Sequence, residues 1–189
     1  MSIARTWGTT AAERAQTYPC DTIIEPAEDL FRGVDVAAPA AVTYRRLCHV
    51  KVAPYSYDWL DNRGRRSPRG LIAGIDDLAL GDRMLIFTLV AFQRDEHVTL
   101  RLTAPHARRV FGDIAVTYAV VATSPSTCRL VAKLRVTPAP GPLGRLRTSL
   151  LAWGDLVMMR KQLLTLARLA ERDAAQSRAG RGTSPSEPE

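Results

Sequence analysis

Ala53-Pro54-Tyr55-Ser56-Tyr57-Asp58-Trp59-Leu60-Asp61-Asn62 puts three aromatics and two carboxylates into ten residues of a chain that is only 6% aromatic. The segment is bounded by Pro54 and ends in polar Asp61-Asn62, so it has room for only a short helix, about Tyr55–Asp61. Tyrosine and tryptophan join an apolar body to a hydrogen-bonding tip, which suits packing at a pocket rim. Upstream, Leu30, Arg32, Val34 and Val36 alternate on one face of a first strand, Leu30–Val36. Pro39 then opens a helix, Pro39–Cys48, at the position where proline is welcome.

Downstream the pattern is that of strands. Arg63–Gly70 is a loop with four arginines. The turn Gly81-Asp82 introduces the apolar run Met84–Phe92. His97–Thr103 alternates, with Val98, Leu100 and Leu102 on one face. Ser124-Pro125-Ser126-Thr127 joins Ile114–Val121 to Cys128–Thr137 as a hairpin. In Cys128–Thr137 the positions Arg129, Val131, Lys133 and Arg135 oppose Leu130, Ala132, Leu134 and Val136, which predicts one wet sheet face. After Pro138–Gly144 a long helix is expected over about Leu146–Arg172. Ala152, Leu156, Met159, Leu163 and Leu166 form its buried stripe. Leu150, Leu151, Trp153, Val157 and Met158 predict that its first half is enclosed. Before the first strand, Thr10-Ala11-Ala12-Glu13 has the spacing of a capping box for a helix Ala11–Gln16. The chain therefore divides into an N-terminal arm (1–29) packing on the domain, one domain (30–173) and a disordered tail (174–189).

The 189 residues suffice for one core. The formal charge of +7 rests on arginine, with lysine only at Lys51, Lys133 and Lys161. A basic surface attracts phosphates or anionic lipid, but no nucleic-acid motif accompanies the charge, and a GC-rich genome also encodes arginine in place of lysine. Cys20, Cys48 and Cys128 are odd in number and widely spaced, which suggests neither a disulfide framework nor a zinc site. Met1–Thr10 lacks an apolar signal region, and no run approaches the roughly twenty residues of a membrane span. A cytoplasmic protein is expected.

The Tyr-x-Tyr-Asp-Trp segment (Tyr55–Trp59), with Val34–Pro39, the lead-in Trp7–Glu13 and Tyr18–Asp21, resembles actinobacterial members of the SRPBCC superfamily. These are START-related, polyketide cyclase/dehydrase-like proteins. The resemblance covers roughly Thr6 to Ala170. It implies an α+β helix-grip fold, in which a curved antiparallel β-sheet wraps a long C-terminal helix and two short helices come after the first strand. It also implies a ligand cavity between sheet and helix. Related sequences often carry a Gly-Gly-Trp-like run where this chain has Val52-Ala53-Pro54, so the mouth of the cavity differs and the ligand does not carry over.

Parity and helix stripe place Tyr55, Tyr57, Trp59, Phe87, Leu89, Leu100, Tyr118, Leu134, Leu156 and Met159 around such a cavity. Tyr118 on an inward face needs a partner for its hydroxyl, either a ligand or a buried structural hydrogen bond. Tyr57, Asp58 and His106 are the candidates for moving protons. The competing reading of the aromatic segment is wedging and helix capping. No His-Glu-x-x-His, nucleophile elbow or phosphate loop occurs, so neither a metal nor a cofactor is expected. Of the other histidines, His97 is expected to be solvated in a hairpin turn. The expected function is binding of a small, largely hydrophobic molecule. The alternatives are a cyclase- or dehydratase-type lyase or isomerase using the cavity as a template, and a non-catalytic interaction module whose cavity is filled. Nucleic-acid binding and stable membrane insertion are not expected, and the chain is a monomer or homodimer.

Overall fold

The structure is a computed structural model that describes residues 2–55, 70–138 and 141–182. Strands β1 (Glu28–Val36), β2 (Arg83–Met84), β3 (Phe87–Gln93), β4 (His97–Leu102), β5 (Ile114–Ser124) and β6 (Thr127–Val136) form one antiparallel sheet, ordered β1-β6-β5-β4-β3-β2. The meander from β2 to β6 arises from short apolar runs separated by turn residues. β1 then pairs with β6, setting Leu30 opposite Leu134 and Val34 opposite Leu130. A register shift between Leu89 and Ala91 interrupts the β3–β4 ladder, and such bulges bend a strand and raise its twist. Helices α1 (Ile3–Thr6) and α2 (Ala11–Ala15) precede the sheet, α3 (Ala40–Cys48) comes after β1, and α4 (Pro105–Phe111) links β4 to β5. The last helix, α5 (Gly141–Gly182), crosses the inner face of the sheet. This is the helix-grip architecture.

Period-two alternation decides the inner face. Leu30, Val34, Val36, Leu130, Ala132, Leu134, Val116, Tyr118, Val98 and Leu100 all join one core with Ala152, Met159, Leu163, Leu166 and Ala170 of α5. Each large apolar side chain moved out of water there contributes about 1.5–3 kcal/mol.

Four expectations are corrected. The opposite sheet face is not wet: the arm closes over it, and Tyr18, Cys20, Ile24, Phe31, Ala115 and Val131 make a second small core. Lys133 is buried in that layer, its ammonium 2.5 Å from Asp21 and 3.2 Å from Asp29 and above the rings of Tyr18 and Phe31. A charged residue reads as solvent-facing in sequence, but acid partners from the arm allow it to be covered. His97 is only partly exposed rather than solvated, and burial lowers its pKa. The first half of α5 is not enclosed, since Leu146, Leu150, Trp153 and Val157 are exposed. Finally, α5 continues past the expected end at Arg172 and keeps Ala174 in the core, so residues 174–182 are helix rather than disordered tail. The expected second short helix, about Tyr55–Asp61, lies almost wholly outside the described residues. Directly after α3 the chain makes a 3-10 turn, His49–Lys51.

The arm is held by a local device that was legible in sequence and a tertiary contact that was not. Thr10 and Glu13 form the capping box of α2. Glu13 also pairs with Arg129 of β6 at 2.8 Å, and Arg129 donates to the Gly8 carbonyl at 2.7 Å. Gly8 has φ +71°, and a Cβ there would strike the Gly33 carbonyl of β1. Gly8→Ala therefore combines a left-handed backbone penalty with a backbone clash. It is expected to cost about 2–3 kcal/mol, with faster tryptic cleavage at Arg5 and Arg14. Wild-type urea stability and cleavage rate would refute this.

Candidate functional site

Helical spacing places three polar residues on the buried side of α5. Asp155, Gln162 and Asp173 are separated by seven and eleven residues, close to two and three turns, and lie beside the apolar stripe. Each meets a polar group from a different element: Arg32 of β1, Tyr118 of β5 and Arg46 of α3. Buried polar groups persist when they are paired; the first two pairings join α5 to the sheet and the third joins it to α3.

Arg32 is completely buried. It contacts Asp155 at 2.8 Å and donates to the carbonyls of Phe31 and Ala152 at 2.8 and 3.2 Å. Among the described residues, its Nε has no hydrogen-bond partner. Burial raises the Asp155 carboxyl to about 6, although the Arg32 charge pulls the other way. Burial likewise lowers Arg32. The Asp155 side chain keeps 22% exposure, so water reaches one side of the pair.

Further along α5, the Tyr118 hydroxyl donates to Gln162 Oε1 at 2.8 Å and lies 3.5 Å from Met159 Sδ. Gln162 Nε2 donates to the Pro54 carbonyl at 2.6 Å. Burial first, and the Asp155 charge second, push the Tyr118 phenol above the ordinary range. Tyr55, next after Pro54, has a left-handed φ of 54°, a strained conformation for a bulky residue. Its hydroxyl lies 3.1 Å from His49 Nδ1. His49 is fully buried and, among the described residues, its Nε2 has no hydrogen-bond partner. Burial, then the Arg46 charge, lower His49 to about 4 against the opposing pull of Asp173, so the imidazole is neutral. Arg46 binds Asp173 at 2.5 Å and the Gly70 carbonyl at 3.2 Å. The result is a polar cluster in an apolar interior, where the chain enters residues 56–69.

The structure brings several of the expected residues together. Tyr55, Leu89, Leu100, Tyr118, Leu134 and Met159 are buried in the common core, and Phe87 packs against it half-buried. Leu156 is buried on α5. Tyr57, Asp58 and Trp59 lie outside the described residues. His106 is exposed on α4. An open cleft of about 380 Å³ lies beside it, lined by Thr103, Pro105, Arg108, Arg109, Gly112 and Asp113. None of the described residues expected to line a ligand is among those lining that cleft.

Sequence reasoning missed His49, Gln162, Asp155 and the role of Arg32. Two signals were present. Arg32 shares the apolar face of Leu30 and Val34, where a guanidinium needs a counter-charge. Asp155 and Gln162 each adjoin a stripe residue, Leu156 and Leu163. Nothing local marks His49.

No protein-family model and no curated protein matches the chain. Among solved structures it is similar to norcoclaurine synthase from Thalictrum flavum in complex with dopamine and hydroxybenzaldehyde. There the identity is 12%, covering 90% of this chain and 96% of that one, with a TM-score of 0.46. It is similar at 14% identity to a protein of Nitrosospira multiformis, covering 80% and 99%, TM-score 0.49. It is also similar at 13% to a polyketide cyclase-like protein from Corynebacterium glutamicum, covering 79% and 95%, TM-score 0.46.

Proposed function

We propose that the protein binds a small, largely apolar molecule bearing a hydrogen-bonding oxygen, between the sheet and α5, beside Pro54 and Tyr55. One observation carries this reading: the Tyr118–Gln162–Pro54 chain and the His49 Nε2, which has no partner among the described residues, are polar groups set in an otherwise apolar interior. Small-molecule sites are mostly apolar with a few convergent polar groups. An unpaired buried nitrogen costs about 1–3 kcal/mol, which a ligand hydrogen bond recovers. The strain at Tyr55 supports the same location. Among the described residues, the expected lining side chains other than Phe87 are buried, so the guest enters by displacing side chains. Met159, unbranched and flexible, is suited to yield.

The decisive experiment is native mass spectrometry of the purified protein, then denaturation and identification of any released molecule. A thermal-shift screen of lipophilic and polyketide-like compounds complements it. A stoichiometric guest is expected, and Gln162→Leu is expected to weaken binding about tenfold, the value of one buried hydrogen bond. An empty protein with no thermal shift anywhere in the screen would sink the reading. That outcome would favour an interaction module with a filled interior, which the burial of Leu89, Leu100 and Leu134 also suits.

A further inference from the structure

The outer face of α5 carries a run of exposed apolar side chains. Leu146, Leu150, Trp153 and Val157 recur at steps of four, three and four, so they form a single stripe. Their side chains face solvent, Leu150 at 65% and Trp153 at 51% exposure. Beside the start of α5, Arg147 donates to the Val110 carbonyl of α4, and α4 adds exposed Val110 and Phe111. An apolar surface of this extent is unusual unless something covers it.

The charges around the stripe identify the cover. The same face continues as Arg160, Lys161 and Arg168, all exposed, with Arg160 lying over the Trp7 ring, and α4 contributes Arg109 and Arg108, the latter paired with Asp113 at 2.7 Å, from the rim of the open cleft. From Gly141 to Ala170 the one carboxylate is Asp155, and it is engaged with Arg32. The face is therefore apolar over three turns and cationic at its edge and along its continuation. A second copy of the chain, docked by the same face, would set these cations against one another. A partner bearing both an apolar layer and dense negative charge matches both features.

We propose that this face docks peripherally on an anionic lipid bilayer. Leu146, Leu150, Trp153 and Val157 enter the boundary between headgroups and acyl chains, and the α4 and α5 cations meet lipid phosphates. Tryptophan favours that boundary because its ring is apolar and its N–H is polar. Among the described residues no helix is long and apolar enough to cross a membrane, and the proposal needs only surface contact. It is independent of the ligand reading.

The test is flotation of the full chain with phosphatidylcholine vesicles, with and without about one quarter phosphatidylglycerol. Binding is expected only with the anionic lipid and should fall as salt shortens the screening length. Leu150→Glu with Trp153→Glu should weaken it about tenfold or more. Both side chains are exposed, so circular dichroism and Tm should stay at wild type, and Trp153→Phe should retain binding. Arg109→Glu with Arg168→Glu should also weaken it. Absence of flotation at low salt, equal flotation with neutral vesicles, or full binding by the double glutamate variant would each overturn the proposal. A concentration-dependent dimer in sedimentation, abolished by the glutamates and unaccompanied by vesicle binding, would assign the face to a second copy instead.

Discussion

Asp155→Ala is expected to cost about 3–5 kcal/mol of folding free energy, because it strands the fully buried Arg32 without its counter-charge. Two carbonyls, of Phe31 and Ala152, would remain for the guanidinium, and carbonyl dipoles do not replace a carboxylate. The pair itself need not be a net source of stability. Desolvating two ions offsets much of their attraction, and the raised pKa of Asp155 says that its charge is held at a cost. Asp155→Leu combined with Arg32→Met should accordingly recover most of the loss. Urea denaturation of both singles and the double measures the coupling. A single-variant cost below about 1 kcal/mol would mean that water at the exposed edge of Asp155 screens Arg32 well enough to make the pair dispensable.

The second large effect is a pair of opposed pH dependences. Burial lowers His49 to about 4 in the folded state, below its ordinary 6.5. Between those values the unfolded chain binds the proton and the folded one does not, so stability is present above about 6.5 and is lost as pH falls towards 4. Burial raises Asp155 to about 6. Between about 4 and 6 the folded state holds that proton, so stability is greatest at low pH and is lost as pH rises through 6. Each slope approaches about 1.4 kcal/mol per pH unit, and in the wild type the two nearly cancel. His49→Gln should therefore gain stability, relative to wild type, on acidification from about pH 7 to about 4.5. Asp155→Asn should lose it over the same range, each by about 2–3 kcal/mol. Parallel wild-type and variant profiles would show that these groups do not titrate as their burial requires.

Most of the scaffold was legible along the chain. The Thr10–Glu13 capping box, the hairpin at Ser124–Thr127 and the Ala152–Leu166 stripe each rest on contacts within a few residues, and each stands in the structure. The end of α5 was misread because Ser, Gly and Arg after Ala174 have the composition of a tail, while burial of Ala174 keeps the helix going. The outer sheet face was misread for a related reason. Lys133 and Arg135 alternate like solvent-facing residues, and only the docked arm supplies Asp21 beside both.

The polar cluster was less legible. An inward-facing Tyr118 needs a partner for its hydroxyl on sequence grounds alone, but Gln162 as that partner depends on how α5 lies against β5. His49 next to Tyr55 depends on how the chain turns after α3. Arg32 and Asp155 lie 123 residues apart, and no periodicity spans that distance. The sequence by itself determined the elements, their order and which face of most of them is apolar, because those properties are set by side-chain spacing along a helix or strand. Only the tertiary structure decided which buried charges meet, which sheet face the arm covers and which helix face stays bare, because desolvation and pairing are properties of surfaces brought together from distant parts of the chain.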